Sequence, residues 1–358
     1  MHSAQRLPAE VQYADELNHL AENDTYKKPQ GWKLSPQAVK TFILGSNKAI
    51  GNRSIAKKIH GNDALVERAI VTLAGQRGLL LVGEPGTAKS LLSELLAAAI
   101  SGNSTDTIQG SAGIVEENIR YSWNYALLLK EGPVLDSLVP GPLYRAMKHG
   151  RIMRFEEITR CPTEIQDNLI PILSDRILQI PELKQDEDKF LLSQKGFNLI
   201  ATANLNDRGI NEMSSALKRR FNFETMQPLK NIQQQAKLIA TQANQQLASA
   251  EIEISASDDI CQLLATAITD MRTGHVEGLS ISPLTNVLST AEAISVLYSA
   301  ALESHYFGEQ TIRPKYIANY LIGAVCKDNN DDIKRFDDYK NAIKRKRNDL
   351  PLWQDFIG

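Results

Sequence analysis

The sequence predicts an α/β domain built on a parallel sheet, followed by a smaller all-helical domain. Three observations carry this. Short apolar runs at Gly78–Val82, Ile152–Phe155 and Asn198–Thr202 each read as a strand buried on both faces. Each run is followed by a helix-like stretch, and strands alternating with helices argue for a parallel sheet. After about Pro228 the strand signal ends and only helical patterns follow. At roughly 150 residues per domain, 358 residues suit about two domains.

The elements follow in order. Residues 1–45 form an N-terminal extension, with helix expected over Ala9–Ala21 and a break from Asn23 to Gly31. In Asn62–Ala74, Leu65, Ile70 and Leu73 recur on roughly one face, and Gly75 ends the helix. Gly78–Val82 leads through a Gly/Pro turn into a helix over Ser90–Ile100. Ile152–Phe155 precedes a helix over about Thr163–Leu173, and Asn198–Thr202 precedes one over Glu212–Lys218. These elements place the α/β domain at 46–228. Helical patterns at 231–250, 257–273 and 283–303 place the second domain at 229–310. A helical C-terminal extension, 311–358, carries the basic run Lys344-Arg345-Lys346-Arg347.

Composition narrows the function classes. Hydrophobic residues are 42% and charged residues 23%, which excludes a wholly disordered chain. Lys+Arg is 40 against Asp+Glu 42, a net charge of −2, so nucleic-acid binding would need a local patch. The mean hydropathy is −0.27. No apolar stretch of about 18 residues occurs, so no membrane span is expected. The first residues, MHSAQRLPAEVQYADEL, lack a hydrophobic signal core. Cys161, Cys261 and Cys326 are sparse and far apart, which suits a reducing compartment and argues against a zinc site. The expected location is the cytoplasm.

The strongest local signal is Gly83-Glu84-Pro85-Gly86-Thr87-Ala88-Lys89-Ser90, with Leu91 following, between a buried strand and a helix. Glycines let successive backbone N–H groups curl around an anion, and the helix N-terminus adds positive potential. Lys89 is expected to reach the β- and γ-phosphates of a nucleotide, and the Ser90 hydroxyl to ligate Mg²⁺. Ala88 stands where a glycine is usual, so its methyl must be accommodated.

The strand at Ile152–Phe155 runs into Glu156-Glu157. A carboxylate there faces the crevice in which α/β proteins bind ligands. Glu156 is the candidate metal-site acid, one methylene longer than the usual Asp, and Glu157 is the candidate for orienting attacking water. Asn204, after the third strand, suits a hydrogen bond to the γ-phosphate or the water. Ala216-Leu217-Lys218-Arg219-Arg220 ends a helix in a double arginine, the natural donor to phosphoryl charge from a neighbouring subunit.

Phosphate loop, acidic pair, sensor Asn and arginines, in that order, resemble the AAA+ ATPases. GEPGTAKS, the segment from Gly141-Pro142-Leu143 to Gly150, and LIATAN look like the MoxR branch, which commonly carries Ala before the lysine. The resemblance covers about residues 46–300. It implies a nucleotide-binding AAA+ domain with a helical lid and Mg²⁺-dependent ATP hydrolysis. It also implies a ring of identical subunits, most commonly six. The implied work is chaperone-like remodelling of a protein client, often one with a von Willebrand factor A domain.

It further implies that Ile59-His60-Gly61 borders the adenine. Ser111–Glu131 matches an insertion holding Tyr121, Trp123 and Tyr125, for which client contact and local packing both stand open. The family's lid arginine is replaced by Leu284 in Ser282-Pro283-Leu284-Thr285-Asn286. Either another residue, such as Arg272, senses the γ-phosphate, or lid coupling is weak. Asn206-Asp207-Arg208 before the arginines also resembles McrB-type GTPases of restriction systems, which keeps a nucleic-acid-linked motor as an alternative. A nucleotide-gated scaffold with little turnover is the other.

Overall fold

The computed structural model describes residues 6–184, 188–204, 209–229, 231–285, 288–308, 310–327 and 329–358. The chain divides into two compact units: residues 1–84 with 88–227, and residues 85–87 with 228–358.

The first unit opens with α1 (Ala9–Gln12), α2 (Ala14–Glu22), α3 (Pro36–Leu44) and α4 (Asp63–Ala74). The helix expected over Ala9–Ala21 is thus two, parted at Tyr13. Ser35 caps α3 by accepting from the Ala38 N–H, with Pro36 at the first helical position. Then come β1 (Gly78–Val82), α5 (Lys89–Ser101), β2 (Thr107–Gln109), α6 (Glu116–Ile119), β3 (Tyr121–Trp123), α7 (Tyr125–Glu131), β4 (Leu138–Pro140) and α8 (Pro142–His149). β5 (Ile152–Glu156), α9 (Thr163–Asp167), α10 (Leu169–Asp175), β6 (Ile177–Gln179), β7 (Phe190–Leu192), β8 (Asn198–Ala203), α11 (Ser215–Lys218) and β9 (Phe221–Thr225) complete it.

Five strands form one parallel sheet in the order β2-β5-β8-β1-β9. Successive strand residues point to opposite faces, and each face has its own core. Leu79, Leu81, Ile152 and Ile200 pack with α3, α4 and α5 and with Ala9 and Leu20 of the N-terminal helices. Leu80, Val82, Met153, Phe155 and Leu199 pack with α8, α10 and Leu217 on the other face. The N-terminal extension is therefore part of this unit's core.

The second unit is helical: α12 (Ile232–Ser249), α13 (Asp258–Thr273), α14 (Thr290–Phe307), α15 (Pro314–Leu321), α16 (Asn330–Lys346) and α17 (Pro351–Ile357). A two-residue pairing of β10 (His275–Val276) with β11 (Leu279–Ser280) interrupts the helices. A single core runs from Ala236 of α12 to Phe356 of α17, so the C-terminal extension packs with the lid helices. No helix among the described residues is long and apolar enough to cross a membrane.

Candidate functional site

The site lies at the carboxyl edge of the sheet. Val82 pairs with Ala203 and Phe155 with Ala201, so the residues that follow β1, β5 and β8 emerge side by side. The loop Gly83–Ala88 leaves β1 and enters α5 through Ala88, which holds a left-handed conformation (φ 67°, ψ 26°). This is how the chain accommodates alanine: the backbone keeps the glycine-like geometry at a cost of about 1–2 kcal/mol. Lys89 is buried, and its ammonium donates to the carbonyls of Gly83 (2.8 Å) and Glu84 (2.9 Å). Burial pulls the Lys89 pKa below its ordinary value, and the carboxylates of Glu157, Glu156 and Glu84 offset this only in part. Leu91 is exposed on the first turn of α5.

Glu156 ends β5 with its carboxylate buried and fully hydrogen-bonded. Oε2 accepts from the hydroxyls of Ser90 (2.7 Å) and Thr202 (2.8 Å). Oε1 accepts from the Ser93 hydroxyl (2.5 Å) and the Arg154 guanidinium (2.8 Å). Burial alone would raise the Glu156 pKa, but the Arg154 charge and the three hydroxyl donors hold it below the ordinary carboxylate range. Ser90 spends its proton on this carboxylate, so both its lone pairs remain for a cation.

Glu157 follows in a left-handed conformation (φ 53°). Such a conformation is strained for a residue with a side chain, and the surrounding structure must hold it in place. Its N–H is held by the Thr202 hydroxyl at 3.0 Å, and its half-exposed carboxylate lies 3.7 Å from Arg160. Gly110 donates its N–H to the Glu156 carbonyl at 2.7 Å. A Cβ there would come within 2.2 Å of the Glu157 carbonyl oxygen, so only glycine lets the segment after β2 pass under the acidic pair. Asn204 is buried just beyond β8, level with Gly83.

Ile59 is buried and His60 half-buried, and Gly61 (φ 79°) turns the chain into α4. Asn62 exchanges two hydrogen bonds with Gln227, each 3.3 Å, anchoring this segment beside the end of β9. The two arginines part company. Arg220 donates to Ser174 Oγ (2.8 Å) and to the Ala216 carbonyl (2.7 Å) within its own chain. Arg219 is exposed, and its guanidinium has no partner among the described residues.

The inserted aromatics part too. Tyr121 is buried, bonds Glu182 at 2.9 Å and meets Trp123 edge-on at 5.9 Å. Tyr125 is 75% exposed at the start of α7, a helix with no buried residue. In the second unit, Leu284 packs on the helical core, and Arg335 of α16 donates to the adjacent Pro283 carbonyl at 3.2 Å. Arg272 is half-buried on α13. Asn206, Asp207, Arg208 and Asn286 lie outside the described residues.

Sequence reasoning did not single out Arg154, Ser93, Thr202 or Gly110. A signal for Arg154 was there. A doubly covered strand should be apolar throughout, and a charge inside Ile152–Phe155 calls for a partner on the same face, which Glu156, two residues on, supplies.

Residues 78–221 match the model of the AAA domain of the dynein-related subfamily, and residues 233–356 match the YehL-like AAA+ ATPase C-terminal domain. The protein named "Uncharacterized protein YehL" of Escherichia coli (strain K12) is 46% identical over 335 residues, covering 94% of this chain and 91% of that protein. Chaperone MoxR1 of Mycobacterium tuberculosis is 26% identical over 171 residues, covering 48% of this chain and 41% of that one. Among solved structures, NtrX from Brucella abortus in complex with ATP matches with a TM-score of 0.49 at 13% identity, covering 82% of this chain and 60% of that chain.

Proposed function

This chain belongs to the YehL-like AAA+ ATPases of MoxR type, and we propose that it binds ATP with Mg²⁺ on the Gly83–Ser90 loop and hydrolyses it. One observation supports this above the others. The Ser90 hydroxyl donates to Glu156 and so turns its lone pairs out beside the phosphate loop. Hard oxygen donors of this kind suit Mg²⁺, which takes few protein ligands and completes its shell with phosphate and water. Among the described residues no cluster of three His, Cys, Asp or Glu offers a self-sufficient metal cage, in keeping with a cation that arrives with nucleotide.

Lys89 and the loop N–H groups bind the phosphates, and Ile59–Gly61 border the base. Ser90, oriented by Glu156, would hold Mg²⁺, whose bound charge would offset that of the phosphates. Glu157 orients a water for in-line attack on the γ-phosphorus. The new P–O bond forms as the bond to the β-phosphate oxygen breaks, the water's proton passes to Glu157 and from there to solvent, and ADP leaves. Asn204 hydrogen-bonds the water or the γ-phosphate. The exposed Arg219 is the better of the two arginines to reach a neighbouring subunit's phosphates in a ring, commonly of six. The work performed is remodelling of a protein client, a reading supported by the similarity to Chaperone MoxR1.

Phosphate release by the parent and by Glu157→Gln tests the chemistry. The variant should bind ATP and lose about 10²–10⁴-fold in turnover, the usual worth of a positioned base. Turnover equal to the parent's removes Glu157 from the role. ATP binding with no phosphate release from the parent replaces the enzyme with a nucleotide-gated scaffold.

The arginine role has a separate test. Lys89→Ala chains mixed with Arg219→Ala chains should regain activity that neither has alone. No rescue in demonstrably mixed rings assigns Arg219 no role in trans.

A further inference from the structure

Glu156 is held by more than the nucleotide site requires. Arg154 is 8% exposed inside a central strand, covered on both faces by helices. Its guanidinium is committed on every side. Nε donates to Ser93 Oγ (3.0 Å) and Nη1 to the Ser104 carbonyl (3.0 Å). Nη2 donates to Glu156 Oε1 (2.8 Å) and to the Ser90 carbonyl (3.2 Å). Ser93 closes the circuit: its oxygen accepts from Arg154 Nε, and its one proton goes to the Glu156 carboxylate. One planar group thus ties the end of β5 to the first turns of α5, where Ser90 sits.

A buried ion pair is a poor way to stabilise a sheet, because apolar residues of similar volume do it as well. An arginine at this place therefore answers a demand of geometry. Glu156 has one more rotatable bond than an aspartate, so its carboxylate needs an outside hold to meet Ser90 in a single orientation.

We propose that Arg154 is the positioning residue of the cation subsite: by clamping the Glu156 carboxylate against Ser93, it fixes the hydroxyl of Ser90 in the orientation that receives the divalent ion. The proposal rests on the Mg²⁺–ATP reading of the loop. Arg154 touches neither nucleotide nor ion. Its effect passes through Glu156 and Ser90, and it bears on the metal and not on the phosphates.

The test separates those two. ATP affinity is measured by calorimetry on the full chain, once with EDTA and once with Mg²⁺. The parent gains affinity from Mg²⁺. Arg154→Lys keeps the charge but loses the fork that reaches four partners. Its affinity in EDTA should match the parent's, while the gain from Mg²⁺ falls by about tenfold, or about 1.4 kcal/mol. The spectrum of Mn²⁺ bound with ATP should broaden as its ligand set loosens. Ser93→Ala unpairs no charge and carries the same test if the lysine variant does not fold. Its Mg²⁺ gain should fall by about tenfold, because the Ser93 hydroxyl bonds two charged groups, the Glu156 carboxylate and the Arg154 guanidinium. A folded Arg154→Lys, or failing that Ser93→Ala, with the parent's full Mg²⁺ gain overturns the proposal alone. A parent that gains nothing from Mg²⁺ overturns the reading of the site, and the proposal with it.

Discussion

Among the described residues each unit buries one arginine against a carboxylate, and the two pairs behave differently. In the first, Arg154 meets Glu156, whose two oxygens accept four hydrogen bonds and whose pKa lies below the ordinary range. In the second, Arg347 donates to Asp270 (2.7 Å) and Glu277 (2.7 Å), and stacks over Trp353 at 4.4 Å. Tyr339 adds a bond to the same Asp270 oxygen at 3.3 Å. There burial wins: the Asp270 pKa is raised in spite of Arg347, and burial likewise pushes the Tyr339 hydroxyl well up. The difference is donor count and place. Glu156 sits at the open edge of the sheet with every lone pair engaged, whereas Asp270 lies where α13, α16 and α17 meet. The first pair shapes a site. The second staples the C-terminal helices, and it removes Arg347 from the basic run, whose Lys344, Arg345 and Lys346 stay exposed.

The largest expected effect breaks the staple. Arg347→Met leaves Asp270 buried without its cation and should cost about 3–5 kcal/mol. Urea unfolding of the full chain measures it. At temperatures where the variant is folded, the gain in ATP affinity from Mg²⁺ should equal the parent's. If that gain falls as in Arg154→Lys, the two pairs do not differ in kind.

Next in size is Lys89→Ala, which should weaken ATP binding in EDTA at least tenfold, about 1.4 kcal/mol or more. Unfolding should change little, since burying the Lys89 charge already opposes folding, as its lowered pKa records. Near-parental affinity by calorimetry would remove Lys89 from the phosphate site and leave only the acidic edge of the site standing.

Legibility followed the same divide between apolar cover and polar edge. β1, β5 and β8 are central strands covered on both faces, so their apolar runs announced them. β2 and β9 are edge strands with partly exposed, mixed residues, and β9 carries Glu224, paired with Arg68 at 2.6 Å. Their pattern never becomes an apolar run. The helix expected over Thr163–Leu173 is two, parted at Asn168. The one expected over Glu212–Lys218 shortens to Ser215–Lys218, because Ser214 caps it by accepting from the Leu217 N–H. At the site, loop and acids were legible because phosphate chemistry restricts residue type and spacing. Ser93 and Thr202 were not, because a hydroxyl inside a helix or strand has no pattern until folding brings the carboxylate to it.

The smallest effect is a pair of opposed slopes. Glu156 has a folded pKa below its ordinary 4.5, so its ionisation stabilises the fold above that value. This contribution is lost as pH falls through the folded value. Asp270 has a folded pKa above its ordinary 3.8, so its contribution is fully present below that value and is lost as pH rises through the raised one. Glu156→Gln and Asp270→Asn remove each titration while keeping the shape. Unfolding free energies of parent and variants, measured between roughly pH 3 and pH 7, give two gaps. The gap between parent and Glu156→Gln should narrow on acidification. The gap between parent and Asp270→Asn should widen. Both depend on the same arginine–carboxylate chemistry, so a general acid expansion of the chain would move them together. Opposite movement requires that donors outweigh burial at one carboxylate and burial outweigh donors at the other. Gaps that move in the same direction would mean that the hydroxyls around Glu156 do not hold its charge, and that the contrast between the two pairs is one of position alone.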